Sequence, residues 1–182
     1  MSPEEEIIIV SGLPRSGTSM MMQILQAGGI RIAYDNQRQA DSLNPQGYFE
    51  LEKVKNLQQN NSWIIECKGM AIKVLYHLLQ FLPGQLSYKI IFLNRKLDTI
   101  INSQDKMLMN YDKPLQNREH VYRILGQEQE FVKQWLKKQK NMDVLYLNYE
   151  SILDDPQNSV VPIVGFLNRK MDILKMSQVI NV

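Results

Sequence analysis

Apolar residues fall into short runs that are separated by longer stretches of mixed character. The first run, at 7–11, is rich in β-branched residues and lacks polar alternation, which is typical of a strand buried on both faces of a parallel sheet. Strands are predicted at 7–11, 71–75, 88–93 and 143–148. Helices are predicted at 18–27, 51–59, 96–109, 118–138, 156–167 and 171–180. Strands alternating with helices predict an α/β fold, a three-layer α/β/α domain around a central, mainly parallel sheet.

Length and composition predict one domain. The 182 residues are 44% hydrophobic and 22% charged, close to the average of soluble globular proteins. No repeat, low-complexity tract or linker divides the chain, so residues 1–182 are interpreted as a single domain. Lysine and arginine total 21 against 19 acidic residues, a formal net charge of +2. This balance is too mild to indicate a nucleic-acid partner, so an anion site has to be local.

Cysteine usage and the N-terminus bear on the cellular compartment. Cys67 is the single cysteine, so an intramolecular disulfide is impossible and a cysteine-based metal site is not expected. The first residues are acidic where a secretory signal would be basic. No stretch approaches the roughly 20 apolar residues that a membrane span needs. The sequence therefore predicts a cytoplasmic protein without a membrane span.

A glycine-bearing loop follows the first predicted strand. Residues 12–19 read G-L-P-R-S-G-T-S, which has the glycine spacing of a P-loop, but Thr18 stands where the P-loop lysine is expected. Backbone amides at the start of the next helix still form an anion cradle, and Arg15 adds a permanent charge with a bidentate fork. The loop also offers three hydroxyl donors: Ser16, Thr18 and Ser19. An ordinary strand–helix turn has the same spacing; the buried strand before it and the helix after it favour phosphate binding.

A second basic element follows the strand predicted at 88–93. Arg95 lies just past the end of this strand, and Ser103 follows eight residues later, about two turns into the next predicted helix. Ligands of doubly wound sheets bind at the carboxyl ends of the strands. Arg95 is therefore expected to meet an anion near the loop of Arg15, although pairing with a surface carboxylate is the usual alternative for an arginine.

Together these motifs resemble those of the sulfotransferase family. Residues 14–19 resemble its 5′-phosphosulfate loop, and Arg95 with Ser103 matches its 3′-phosphate element, an arginine followed by a serine eight residues on. Residues 44–50 and 97–108 resemble segments of bacterial sulfotransferases, and so does 146–156. The similarity covers nearly the whole chain in the expected order, and the order and spacing make it more specific than any single motif.

The resemblance implies transfer of a sulfuryl group from 3′-phosphoadenylyl sulfate (PAPS) to a hydroxyl or amine. The product would be 3′-phosphoadenosine 5′-phosphate (PAP), no metal would be required, and the acceptor would be a small molecule, a glycan or a lipid. The family pattern assigns the 3′-phosphate to Arg95 and Ser103. It assigns the 5′-phosphosulfate to Arg15, Ser16, Gly17, Thr18 and Ser19. Arg15 would stabilise charge on the bridging oxygen as the phosphate leaves.

An attacking hydroxyl needs a base within about 3 Å, and histidine and glutamate both serve in this family. Glu50 ends the long loop from residue 34 to residue 50, which is positioned to cover an acceptor, but it also suits the first turn of the next helix. His77 follows the strand predicted at 71–75 and lies at the correct edge of the sheet. His120 and Glu66 are weaker alternatives. The candidates for catalysis are thus Arg15, Glu50 and His77.

Two other functions fit the same loop. One is a P-loop kinase or nucleotide hydrolase, against which the missing lysine and the lack of a clear Mg²⁺-binding aspartate after a strand both count. The other is a protein that binds PAP or PAPS without catalysis. Turnover of Mg-ATP would favour the first, and donor affinity without transfer to an acceptor would favour the second.

Overall fold

A computed structural model describes residues 5–35, 37–41, 44, 46–109 and 116–181 of the chain. The strands are β1 (Ile7–Gly12), β2 (Arg31–Ile32), β3 (Met70–Lys73), β4 (Tyr88–Asn94) and β5 (Met142–Asn148). The α-helices are α1 (Thr18–Ala27), α2 (Leu97–Met109), α3 (Arg118–Leu136), α4 (Tyr149–Asp154), α5 (Pro156–Leu167) and α6 (Ile173–Gln178). Short 3₁₀ segments cover Glu52–Asn56, Ser62–Cys67, Tyr76–Phe81 and Val179–Asn181.

The strands form one sheet in the order β2-β3-β1-β4-β5, and each neighbouring pair is parallel. β1 lies in the middle, with Ile9 opposite Ile72 of β3 on one side and opposite Ile90 of β4 on the other. The chain leaves β1 towards β2 on one side and later enters β4 on the other side, so the strand order reverses at β1. Ligands of open α/β sheets bind at such a reversal, beyond the carboxyl ends of the strands.

Both faces of the sheet are covered, which confirms the prediction from uninterrupted apolar runs. Ile7 and Ile9 of β1 pack into a core beneath α3 and the 3₁₀ segments. Ile8 and Val10 pack into a second core beneath α1, α4, α5 and α6. The predicted three-layer α/β arrangement with a parallel sheet is therefore correct. Within the described parts of the chain, no helix combines the length and apolarity that crossing a bilayer requires.

Several local features differ from the predictions, among them α4, which was not predicted. β2 has two residues at the sheet edge, too few for a periodic pattern, and was not predicted. The helix predicted at 51–59 is a 3₁₀ segment over Glu52–Asn56. The backbone amides of Val54 and Leu57 donate to carbonyls three residues earlier, and this tighter turn places both side chains in the core. β3 ends at Lys73, two residues before the predicted end.

Candidate functional site

A cavity of about 310 Å³ opens at the carboxyl edge of the sheet, where β1, β3 and β4 end. We call it the donor-side cavity. Among the described residues, the charged ones in its wall are four cations and one carboxylate: Arg15, Arg38, Lys73, Arg95 and Glu50. The excess of cations favours an anionic ligand. In the parts of the chain that the structure describes, no group of three or more His, Cys, Asp or Glu side chains is arranged to hold a metal ion.

The loop between β1 and α1 presents backbone amides to this cavity. Gly17 is the N-cap of α1 at φ 98°, where a Cβ atom would lie 2.4 Å from the ring of Tyr149. Glycine is therefore required both by the left-handed backbone and by the contact with the ring. Gly17 has no side chain to cap the helix, and the first turn contains no acidic residue, so the amides and the helix dipole favour an anion there.

Arg15 links the loop to the two residues expected to bind a second phosphate. Its Nε donates to the Ser103 hydroxyl at 3.0 Å, and Arg95 Nη1 donates to the carbonyl of Arg15 at 2.8 Å. Arg15 itself has φ 68°, a left-handed conformation that is uncommon for a residue with a side chain. The structure thus brings Arg15, Arg95 and Ser103 into one cluster, although Arg15 and Ser103 lie far apart in sequence.

Among the described residues, two buried polar atoms in or next to this cluster have no hydrogen-bond partner. The guanidinium of Arg95 stacks on the Tyr149 ring, 4.1 Å from its centroid. Its Nε is buried and, among the residues described, has no hydrogen-bond partner; the same holds for the buried Ser16 hydroxyl. Buried donors without partners are costly. An anion in the donor-side cavity would supply the missing acceptor to Arg95, so the residues present fit a phosphate-bearing ligand.

The remaining hydroxyls of the loop differ in exposure. Thr18 is buried at 5% exposure, whereas Ser19 is partly exposed and lines the donor-side cavity with Thr18. Ser19 Oγ donates to the carbonyl of Tyr48 at 3.3 Å and accepts from Asn44 Nδ2 at 3.1 Å. The hydroxyl of Ser19 therefore ties the loop to the 34–50 segment.

Lys73, the last residue of β3, is a site residue that the sequence reasoning missed. Its side chain is 7% exposed. The ammonium donates to Glu50 Oε1 at 3.1 Å, to the Tyr48 carbonyl at 3.1 Å and to Ser19 Oγ at 3.2 Å. The signal that could have found it is a lysine inside an otherwise apolar strand, close to its carboxyl end, where ligands of parallel sheets bind.

Glu50 accepts from two cations. Besides the Lys73 ammonium, Arg38 Nη1 donates to Oε1 at 3.2 Å and to Oε2 at 3.3 Å. The Arg38 guanidinium also lies over the Tyr48 ring, 3.4 Å from its centroid. Arg38 is therefore a second residue of the site that no motif indicated, since it lies in a loop without a repeating pattern.

Burial and charge shift the pKa of both members of the central ion pair. Burial would raise the pKa of Glu50, but the charges and hydrogen bonds of Lys73 and Arg38 outweigh it and hold the pKa below its usual value. Burial lowers the pKa of Lys73, with Arg38 and Arg15 acting in the same direction against the attraction of Glu50. At neutral pH the carboxylate of Glu50 is therefore ionised.

The two histidines lie away from the donor-side cavity. His77 is exposed and lines a separate cavity between the Tyr76–Phe81 segment and α3, beside Tyr76, whose hydroxyl bonds to Glu128. His120 is exposed in the first turn of α3. Glu66 is also exposed. Of the residues considered as a base, Glu50 is the one that lines the cavity with Arg15 and Arg95.

The fold and the cavity define an α/β domain with a cavity rich in cationic side chains at the reversal of its sheet. The sequence matches the model of the sulfotransferase domain family over residues 5–181. The chain therefore belongs to the sulfotransferase family, as its motifs predicted. No curated protein matches the chain significantly.

Solved sulfotransferase structures share the fold. Mouse sulfotransferase SULT7A1 complexed with PAP superposes with a TM-score of 0.62 at 19% identity, over 97% of this chain and 62% of that one. The sulfotransferase domain of the Synechococcus PCC 7002 olefin synthase gives 0.59 at 14% identity, over 93% of this chain and 75% of that one. Sulfotransferase STF1 from Mycobacterium tuberculosis H37Rv superposes with a TM-score of 0.56 at 13% identity, over 98% of this chain and 71% of that one. This chain thus spans less than two thirds of the length of the mouse protein.

Proposed function

We propose that this protein is a PAPS-dependent sulfotransferase that transfers a sulfuryl group to a hydroxyl or amine of a small molecule, a glycan or a lipid. The observation that carries the proposal is the cluster of Arg15, Arg95 and Ser103 around an uncapped helix N-terminus, in a chain of this family. Two linked cationic elements match a donor that carries two separate phosphate-type groups. The mouse neighbour was solved with PAP, which is the product expected here.

The donor would lie along the loop between β1 and α1. The amides of Gly17, Thr18 and Ser19, with the hydroxyls of the loop, would hold the 5′-phosphosulfate. Arg95 and Ser103 would hold the 3′-phosphate, and the buried Nε of Arg95 would gain an acceptor. PAPS supplies an activated sulfuryl group on a good leaving phosphate. No metal is part of the proposal.

Arg15 is suited to stabilise the leaving phosphate. Its Nε is fixed by Ser103, and its carbonyl is fixed by Arg95, so its guanidinium is held in place before any donor binds. A positive group that is already in position costs no reorganisation when charge develops on the bridging oxygen. Loss of such a contact reduces turnover by about 10²- to 10³-fold.

Glu50 is proposed as the general base. Lys73 is buried against it and keeps the carboxylate ionised and oriented, so that it accepts the proton of the acceptor as the new bond to sulfur forms. Lys73 is a positioning residue in this scheme. His77 was the other candidate, and its location in a separate cavity favours Glu50.

Calorimetric titration tests the donor site. Wild-type protein should bind PAP with micromolar affinity and more tightly than Mg-ATP, and Arg95→Ala should weaken PAP binding by at least about tenfold, because a hydrogen-bonded charge pair contributes roughly 1.5–3 kcal/mol. Arg123→Ala, which removes an exposed arginine of α3, should bind PAP like the wild type.

The outcomes separate the candidate functions. A preference for Mg-ATP would contradict the sulfotransferase assignment and favour the kinase or hydrolase. PAP binding without sulfuryl transfer to any acceptor of a broad screen would identify a binding protein. Failure to bind either ligand would limit the relationship with the family to the fold.

A further inference from the structure

A second cavity, of about 300 Å³, lies beside the donor-side cavity along the 34–50 segment. We call it the loop cavity. It shares Arg38, Tyr48 and Glu50 with the donor-side cavity. A molecule bound in the loop cavity therefore reaches the donor-side cavity at the carboxylate that we propose as the base. That is where an acceptor has to lie, an inference that rests on the proposed function.

Neutral polar and aromatic side chains make up much of the wall of the loop cavity. The amides come from Gln26, Gln39 and Gln46, and the rings of Tyr34 and Phe49 pack together at 5.4 Å between centroids. Carboxamides both donate and accept hydrogen bonds, and aromatic surface completes the usual lining of a small-molecule site. Such a wall matches a molecule that is rich in hydroxyl groups, such as a sugar.

Arg38 is the cation in the wall of the loop cavity, and Glu50 is the carboxylate, among the described residues that line it. Both bonds from Arg38 to Glu50 come from a single nitrogen, Nη1, although a guanidinium carries donors on three nitrogens. The guanidinium also lies over the Tyr48 ring, 3.4 Å from its centroid. Arg38 is thus oriented without depending on Glu50 alone.

Glu50 does not need Arg38 as its partner. Lys73 contacts the same carboxylate at 3.1 Å and is 7% exposed, whereas Arg38 is 42% exposed. An anion that enters the loop cavity and takes up the guanidinium would leave Glu50 paired with the buried lysine. The exposed cation is the exchangeable one, and its departure would free a carboxylate oxygen to receive a proton.

We propose that the loop cavity is the acceptor subsite and that Arg38 selects an anionic sugar, in which a carboxylate or phosphate accompanies the reacting hydroxyl. The anionic group of the acceptor accepts hydrogen bonds from the guanidinium of Arg38. A planar carboxylate or a phosphate is the best match for the paired N–H donors of a guanidinium. When Arg38 moves from Glu50 to the acceptor anion, the Oε2 atom of Glu50 loses its hydrogen bond from Arg38 and is free to accept a proton. Recognition of the acceptor and readiness of the base are then coupled through one side chain.

Saturation-transfer NMR with three probes tests the proposal: D-glucuronate, D-glucose 6-phosphate and neutral D-glucose. PAP is present in excess, so that the anionic sugars do not bind at Arg15 and Arg95. Both anionic sugars should bind at least about tenfold more tightly than glucose. Arg38→Ala should abolish the preference, Arg38→Lys should retain part of it, and Arg123→Ala should retain all of it.

A direct readout follows the exchange at Glu50. In protein labelled with ¹³C at glutamate carboxyl groups, the Glu50 signal, assigned from Glu50→Gln, should shift when glucuronate is added and stay unchanged with glucose. Equal binding of all three sugars, binding of none, or a preference that survives in Arg38→Ala would overturn the proposal. Because PAP binding is measured first on the same sample, failure of the acceptor proposal is distinguished from failure of the donor site.

Discussion

At the scale of single residues, the site depends on a lysine that is buried beside a carboxylate. Lys73 replaces its hydration shell with three acceptors, from Glu50, Tyr48 and Ser19. Buried ion pairs contribute little net stability, because desolvation offsets most of the attraction. What this pair contributes is position, since it ties the end of β3 to the 34–50 segment and to the first turn of α1.

The charge on Glu50 makes part of the stability dependent on pH. Its pKa is held below the ordinary value, so its contribution is complete above the unfolded pKa of about 4.3 and is lost as the pH falls through the lower folded pKa. We expect wild type to exceed Glu50→Gln in melting temperature at about pH 7, and the difference to shrink as the pH falls through the lowered folded pKa of Glu50. Circular dichroism melts across this range measure the difference.

A second variant controls for net charge in that experiment. Glu66→Gln removes an exposed carboxylate outside the donor-side cavity. If the gap between Glu50→Gln and wild type stayed constant with pH, or matched that of Glu66→Gln, the carboxylate of Glu50 would not be stabilised by Lys73 and Arg38.

At the scale of elements, α1 illustrates how one helix serves both the core and the site. Met21, Met22 and Leu25 are fully buried against the sheet, while the uncapped first turn faces the donor-side cavity. Tyr149, at the start of α4, packs against Gly17 and beneath Arg95. The packing of α4 on the loop therefore sets the position of Arg95, for which we propose binding of the 3′-phosphate.

Two glycine-to-alanine changes should act in opposite directions. Gly17→Ala drives a methyl group into the Tyr149 ring at a left-handed backbone position, and it should lower stability by roughly 1–3 kcal/mol and weaken PAP binding. In Gly165→Ala, the added methyl group lies in open space on α5. Because alanine favours the helix over glycine, this change should raise stability by about 1 kcal/mol, roughly 2–4 °C in melting temperature.

Thermal melts and PAP titrations on both variants check this pair. Gly165→Ala is the matched control, since it makes the same chemical change in the same molecule away from the site. Unchanged PAP affinity in Gly17→Ala would show that the contact between Gly17 and Tyr149 does not position Arg95.

At the scale of the whole molecule, a parallel sheet separates two cores. Cys67 belongs to the core beneath α3 and is 5% exposed. Burial, with a smaller contribution from Glu66, raises the pKa of its thiol to about 11. Since the thiolate is the reactive form, the single cysteine reports on the integrity of this core.

Alkylation by iodoacetamide should therefore follow global unfolding. At about pH 8, labelling of Cys67 in native protein should be at least about 100-fold slower than in denaturant, as followed by mass spectrometry. Saturating PAP should slow it further by stabilising the folded state, if labelling requires unfolding. Equal rates in native and denatured protein would show that the core opens locally around Cys67.

Local sequence determined much of this protein. Uninterrupted β-branched runs such as 7–10 identify strands buried on both faces, because only such strands exclude polar residues from both sides. The glycine spacing around Arg15 and the position of Arg95 after β4 could be recognised in the sequence, because strand ends and helix starts are specified by neighbouring residues. These features predicted the parallel α/β fold, the family and the candidate phosphate-binding residues.

Only the tertiary structure decided which distant residues meet. Lys73 approaches Glu50 because β3 ends beside β1. Arg38 approaches Glu50 because its loop folds back over Tyr48. The Tyr76–Phe81 segment directs His77 to another cavity. The two-residue β2 and the 3₁₀ segment at Glu52–Asn56 depend likewise on packing. Contacts between residues far apart in sequence follow from chain packing, which no local pattern encodes.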